Sequence, residues 1–367
     1  MKNLIGEKKN GDYLLIVAVI LLSVLGAIFI YSASRYSAKA TYGDEYYFVK
    51  KQVVGIVLGI VFMIMSCFFD YERLKKFNLP LAVVTIILLA LVFVPGVGIE
   101  NYGAKRWIGF MGVTIQPSEL AKFSLILFSA SYVSKNTEKC KTLIGVLPII
   151  IYGGMLCALI IIEPNMSITV CVATLMITML FCAGLKIKYF LQILLPAVLF
   201  GVLLIVIEPY RLSRLSAFLD PWSNPKGEGY QLLQSLYALG SGGWFGVGLF
   251  NSRQKYAFLP FAESDFILSI IGEEIGFVGL LLFFSLLAFI VFRGLKIAAR
   301  SKNVFGFVIA VGITMIFGIQ TIVNALVVTG SIPPTGLSLP LVSSGNTSII
   351  IFMTEMGVLY NISRSTR

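Results

Sequence analysis

Histidine is absent from this 367-residue chain, so proton transfer near neutral pH has to use a carboxylate, lysine, tyrosine or water. Charge is scarce as well. Asp, Glu, Lys and Arg make up 13% of the residues, against about 25% in soluble domains, and 57% are hydrophobic. Such a chain cannot cover its own surface with polar groups in water. Cysteine is sparse: Cys67, Cys140, Cys157, Cys171 and Cys182 show no Cys-x-x-Cys spacing, which excludes the usual zinc centre and leaves no predicted metal ligand. No basic run is interleaved with aromatics as a nucleic-acid surface requires, so nucleic acid is not an expected partner. No low-complexity linker or internal repeat divides the chain, and residues 1–367 read as a single integral membrane domain.

What is present is a series of long apolar runs. Ten lie near the ~20-residue length that crosses a bilayer: Tyr13–Ser32, Val53–Phe69, Leu79–Val97, Pro117–Val133, Leu143–Ile162, Met166–Ala183, Tyr189–Ile207, Asp265–Phe292, Val304–Val328 and Thr347–Asn361. They do not alternate polar and apolar residues, as the strands of a membrane barrel would. The expected fold class is all-α: a polytopic membrane protein with ten transmembrane helices and a large extracytoplasmic loop, about residues 208–263, between helices 7 and 8. An N-terminus in the cytoplasm gathers most of the Lys and Arg on the inner side: Lys8, Lys9, Arg73, Lys75, Lys76, Lys135, Lys139, Lys141, Lys186, Lys188, Arg293, Lys296, Arg300, Lys302 and Arg364 among them. Loop cations of this kind set orientation, so both termini are expected in the cytoplasm of a multi-pass protein. Ser32-Ala33-Ser34 only weakly resembles a cleavage site, and the first span reads as retained. The cysteines then lie in spans or on the inner side, and no disulfide is expected. The net charge of +11 reads as anchoring to membrane lipid.

Asp265 stands where the long polar segment re-enters an apolar run. A carboxylate at such a boundary is either a helix N-cap or a functional acid. Pro117-Ser118-Glu119-Leu120-Ala121-Lys122 opens the fourth span. Glu119 and Lys122 are three apart and share a helix face. Lys122 would sit about 8 Å below Pro117, too deep for a free ammonium, so it needs Glu119 or an acid from another helix. The pair is either a structural lock or a device that orients an outer carboxylate. Cations bracket that carboxylate in sequence: Lys105 and Arg106, then Arg211 and Arg214, then Arg253 and Lys255. Guanidinium groups form paired bonds to phosphate, which points to a phosphate-bearing ligand beside an acid. Glycines at 240–248 lack the strand–helix frame of a dinucleotide site and read as tight turns or close backbone approach. Pro333, Pro334 and Pro340 break the backbone after the ninth span, and Ser343 and Ser344 follow as candidate contacts on that loop. Glu273 and Glu274 read as packing groups deeper along the helix that Asp265 starts.

Asn101-Tyr102-Gly103-Ala104-Lys105-Arg106-Trp107-Ile108, Gln116-Pro117-Ser118-Glu119-Leu120-Ala121-Lys122, Tyr210-Arg211-Leu212-Ser213-Arg214, Phe218-Leu219-Asp220-Pro221-Trp222, Ser264-Asp265-Phe266-Ile267 and Gly272-Glu273-Glu274-Ile275-Gly276 together resemble the SEDS proteins (shape, elongation, division and sporulation). The resemblance covers nearly the whole chain and is strongest to the division and sporulation branch. It implies a peptidoglycan glycosyltransferase that polymerises lipid II outside the bacterial cytoplasmic membrane, beside a class B penicillin-binding transpeptidase, with growing glycan strand as its second ligand. It also implies the essential acid at Asp265, the buried pair at Glu119 and Lys122, and outer-loop cations at Arg106, Arg211 and Arg214. A run that in the family often reads Ser-Tyr-Gly-Gly stands here as Ser343-Ser344-Gly345-Asn346. A divalent cation, Mg2+ or Mn2+, is a candidate partner for the pyrophosphate, and no organic cofactor is expected. Two other readings stay open from the residues alone: a flippase or transporter for the lipid-linked precursor, and a non-catalytic scaffold for the transpeptidase.

Overall fold

In a computed structural model, residues 11–101, 104–110, 113–207 and 209–366 are described. Among them the chain forms twelve α-helices: α1 (Tyr13–Tyr42), α2 (Tyr47–Phe68), α3 (Asn78–Leu91), α4 (Pro117–Lys135), α5 (Leu143–Ile162), α6 (Met166–Cys182), α7 (Ile187–Ile207), α8 (Pro209–Leu219), α9 (Tyr230–Gly242), α10 (Ile267–Ala299), α11 (Val304–Val328) and α12 (Asn346–Thr366). Each of the ten apolar runs overlaps a helix. Six helical stretches are long and apolar enough to cross a membrane: α1, α2, Tyr71–Leu91, α5, α10 and α11. The boundaries follow local chemistry. Asp12 accepts from Leu15 N at the start of α1, and Thr142, Asn165 and Asn303 cap α5, α6 and α11 in the same way. Pro117 opens α4, where a missing N–H costs nothing.

Three features depart from the sequence expectation. The fold is not purely helical. Residues between α3 and α4 form an antiparallel sheet, β1 (Gly98–Asn101), β2 (Ala104–Phe110) and β3 (Val113–Ile115), in the order β1-β2-β3. A short meander needs only about three to seven residues per strand, and this one lies within what read as an outer loop. The long polar segment carries two helices of its own, α8 and α9. The run from Asp265 to Phe292 is also not one helix. Gly276, at φ 66° and ψ −171°, interrupts α10, a backbone region open to glycine and costly for other residues. The glycine-rich segment that follows α9 fills the break. Val247 N and Gly248 N donate to the carbonyls of Glu273 and Glu274, and Phe277 N and Val278 N donate to the carbonyls of Gly243 and Trp244. Broken backbone inside apolar surroundings has to be satisfied by protein in this way.

Helix α12 packs along α2, α11 along α10 and α4, and α9 along α10. One end of the bundle is closed by polar contacts. Asp12 pairs with Arg293, Asp12 N donates to Ser363 Oγ at 2.8 Å, and Asn361 Nδ2 donates to the Cys67 carbonyl at 2.8 Å. The two ends of the described chain therefore meet at one end of the bundle, and Asp265 lies at the other.

Candidate active site

Asp265 sits on the turn just before α10, outside the membrane-spanning segments, and is half-buried. Its Oδ1 accepts from Ser264 Oγ at 3.3 Å. The backbone of the turn is gripped at three consecutive carbonyls. Glu263 O accepts from Ser344 N at 3.0 Å, Ser264 O from Ser343 Oγ at 2.7 Å, and Asp265 O from Asn324 Nδ2 at 2.8 Å. All three donors belong to α11 or to the broken connection that runs from it to α12. That connection also approaches the carboxylate itself: a Cβ placed on Gly336 would stand 3.3 Å from Asp265 Oδ2.

The electrostatics are a balance with a clear winner. Desolvation pushes the Asp265 carboxyl up to about 6, against the Ser264 hydrogen bond and the pull of Arg106 and Arg214, while nearby Glu263 adds to the rise. Arg106, on β2, donates to the carbonyls of Glu163 (3.4 Å) and Pro164 (2.5 Å) where α5 ends. Arg214, on α8, reaches the Pro334 carbonyl at 3.5 Å. Both guanidinium groups thus lean on backbone carbonyls within electrostatic range of the acid. Lys105 lies exposed on β2. The Arg211 side chain falls outside the described residues.

Three expected site residues have other partners. Lys122 does not bond to Asp265. Its ammonium donates to Glu119 Oε1 and to Gln320 Oε1, each at 2.8 Å, with both charged side chains almost fully buried. Lys255 is also buried. Its Nζ donates to Ser32 Oγ and to Glu274 Oε1, each at 3.2 Å, so it is part of a strut between α1, α10 and the loop before Asp265. Ser343 is buried, accepting from Leu339 N while it donates to Ser264 O. Glu273 and Glu274 anchor that same loop, since Glu273 accepts from Ser252 Oγ, Arg253 N and Gln254 N.

Sequence reasoning passed over Glu163, Gln320 and Asn324. Glu163 ends α5 with both carboxylate oxygens buried and unpartnered among the described residues, and burial pushes it up to about 8 against Arg106. Gln320 and Asn324 are two buried amides four residues apart on one face of an apolar helix, a spacing that marks a polar seam. Among the described residues no three Asp, Glu, Cys or His side chains converge to hold a metal ion.

The fold and site define a polytopic helical membrane protein with a half-buried acid, flanked by guanidinium groups, on a turn at one end of its bundle. The family model FTSW_RODA_SPOVE, described as a cell cycle protein, matches residues 12–367, and the chain belongs to that family. It is 39% identical to a probable peptidoglycan glycosyltransferase FtsW of Trichlorobacter lovleyi, over 96% of this chain and 93% of the relative. It is 36% identical to stage V sporulation protein E of Bacillus subtilis, over 98% and 99%. A chain of a solved peptidoglycan synthase complex superposes with a TM-score of 0.80 at 26% identity, over 97% of this chain and 98% of that one. The rod shape determining protein RodA of Thermus thermophilus shares the fold, with a TM-score of 0.71 at 24% identity over 97% of both chains.

Proposed function

We propose that the chain is a peptidoglycan glycosyltransferase that polymerises lipid II at the outer face of the bacterial cytoplasmic membrane, with Asp265 as general base. The observation that carries this reading is the placement of Asp265: a carboxylate raised toward neutrality by burial, on a braced turn, with Arg106 and Arg214 near it. A sugar hydroxyl is a poor nucleophile while protonated. Asp265 accepts its proton as the oxygen attacks the donor's anomeric carbon, and the pyrophosphate-linked polyprenol leaves. A single displacement inverts that centre, giving a β-linked strand from an α-linked donor. Lys105, Arg106 and Arg214 offset the negative charge that builds on the leaving pyrophosphate, and Arg211 is a further candidate for that role from its place in the sequence.

The topology that fits is ten spans with both termini cytoplasmic. The meeting of the two described chain ends at the end opposite Asp265 fits an even number of crossings, and Arg293 and Arg364 stand at that same end. The solved peptidoglycan synthase complex coordinates polymerisation with crosslinking, which supports a class B transpeptidase as partner here. The test is polymerisation of lipid II by the purified chain with such a partner. Wild type makes glycan, and Asp265→Asn makes none while keeping its melting temperature. Normal polymer from the variant sinks the base role.

Two observations favour a second reading. Helix α10 is broken at Gly276 and a charged pair is buried in α4, devices that carriers also use. Translocation of labelled lipid II across vesicles without polymer decides for a flippase.

A further inference from the structure

We infer that Asn324 and Ser343 are positioning residues for Asp265, and that the buried Glu119–Lys122 pair acts on the acid through Gln320 and Asn324. The inference rests on Asp265 being the base, and it deepens that reading by saying what aims the base.

The chain of contacts is continuous. Lys122 Nζ binds Glu119 Oε1 and Gln320 Oε1, both at 2.8 Å. Gln320 Nε2 donates to Ser338 O at 3.1 Å. Asn324, one helical turn further along α11, donates from one Nδ2 to Leu337 O at 2.7 Å and to Asp265 O at 2.8 Å. The two amides therefore hold adjacent carbonyls of the broken connection, and the second also holds the acid's own backbone. Ser343 closes the other side through Ser264 O.

The chemistry of each group fixes the direction of the argument. A primary amide presents donors on one side and an acceptor on the other. Asn324 is almost fully buried, and its Oδ1 has no partner among the described residues. Turning the amide over would set that oxygen against two carbonyl oxygens, so the orientation is locked by Leu337 and Asp265. Gln320 is locked likewise by the ammonium on one side and the carbonyl on the other. A buried donor used this way costs free energy if it misses its acceptor, so it transmits position. The deep ammonium thus sets the register of α11 against the turn that carries the base.

The test uses the full-length chain with its transpeptidase partner, lipid II as substrate, and kcat and KM measured separately. A base displaced by ~1 Å loses about a hundredfold in rate. Asn324→Ala is expected to lower kcat by about that factor with KM for lipid II within about twofold. Ser343→Ala is expected to do the same less severely, and Ser343→Thr, which keeps the hydroxyl, to restore the lost rate. Gln320→Glu keeps an acceptor for Lys122 but removes the donor to Ser338, and is expected to lower kcat with its fold intact. A rise in KM at unchanged kcat for Ser343→Ala would make Ser343 a substrate contact and overturn the inference. So would wild-type kcat in both Ser343→Ala and Gln320→Glu. Should Asn324→Ala fail to fold, the Ser343 pair decides alone. If Asp265→Asn still polymerises, the base reading falls first. If Asp265→Asn is dead while these variants run at full kcat, only the positioning inference falls.

Discussion

Two acids of this bundle, each with a defined environment, are treated in opposite ways. Glu119 is buried in α4 and is given a full countercharge, Lys122, at 2.8 Å. Asp265 is half-buried on a turn and is given no ion pair among the described salt bridges. Its side chain accepts from Ser264, while its backbone neighbours are held at three carbonyls. The contrast separates locking a charge from aiming one. A carboxylate tied to an ammonium is a poor base, because the countercharge favours its ionised form. A carboxylate fixed through its main chain keeps an oxygen for chemistry. Arg106 and Arg214 lean on backbone carbonyls beside it.

The sharpest way to break the comparison is to neutralise each acid in turn. Asp265→Asn keeps shape and removes the base, and polymerisation is expected to fall by about 10²–10⁴ or below detection with little change in thermal stability. Lys122→Met is expected to act on stability as well as on rate. It leaves Glu119 buried without its partner, a loss of about 3–5 kcal/mol, seen as a lowered melting temperature in detergent. Adding Glu119→Gln to Lys122→Met should recover most of that stability. If Lys122→Met melts like wild type, the pair is not a lock. A smaller effect comes from the break that shapes the acid's half of α10. Gly276→Ala forces a Cβ into a glycine-only backbone region against the Gly246 backbone. It should cost about 1–3 kcal/mol and loosen the 243–255 segment, read as faster amide exchange there.

The apolar runs were enough to place the helices, because each span must satisfy its backbone internally and so has to be continuous and apolar over a fixed length. The Glu119–Lys122 contact was legible for the same reason: three residues of helix put them on one face. The interruption of α10 was not. Gly272-Glu273-Glu274-Ile275-Gly276 reads as helix by itself, and the strand-like partner that fills the break lies some thirty residues earlier, beyond any local pattern. Lys255 looked like a free loop cation because nothing near it in sequence announces Glu274 and Ser32 as its partners. The role of Lys122 was aimed at Asp265 directly. The structure inserts Gln320 and Asn324 between them: the ammonium holds Gln320, and Asn324, one turn along α11, holds the acid's carbonyl. Two amides at 320 and 324 inside an apolar helix were the available sign.

The smallest predicted effect is also the one that tests the aiming most directly. Burial holds the Asp265 carboxyl at about 6, above the ordinary Asp value of 3.8. The base is the deprotonated form, so activity should be half its plateau near pH 6, level well above that point, and about a tenth of the plateau one pH unit below it. Stability runs the other way. A raised carboxyl penalises the charged fold, so the protonated form contributes its stability below the unfolded value of 3.8, and that contribution is lost as pH rises through about 6. Arg214→Gln removes one of the cations that oppose the rise, so its acid limb should move to higher pH, with the plateau measured against the same lipid II concentration. An acid limb that stays near the ordinary Asp value in the wild type would mean that the nearby guanidinium groups offset burial.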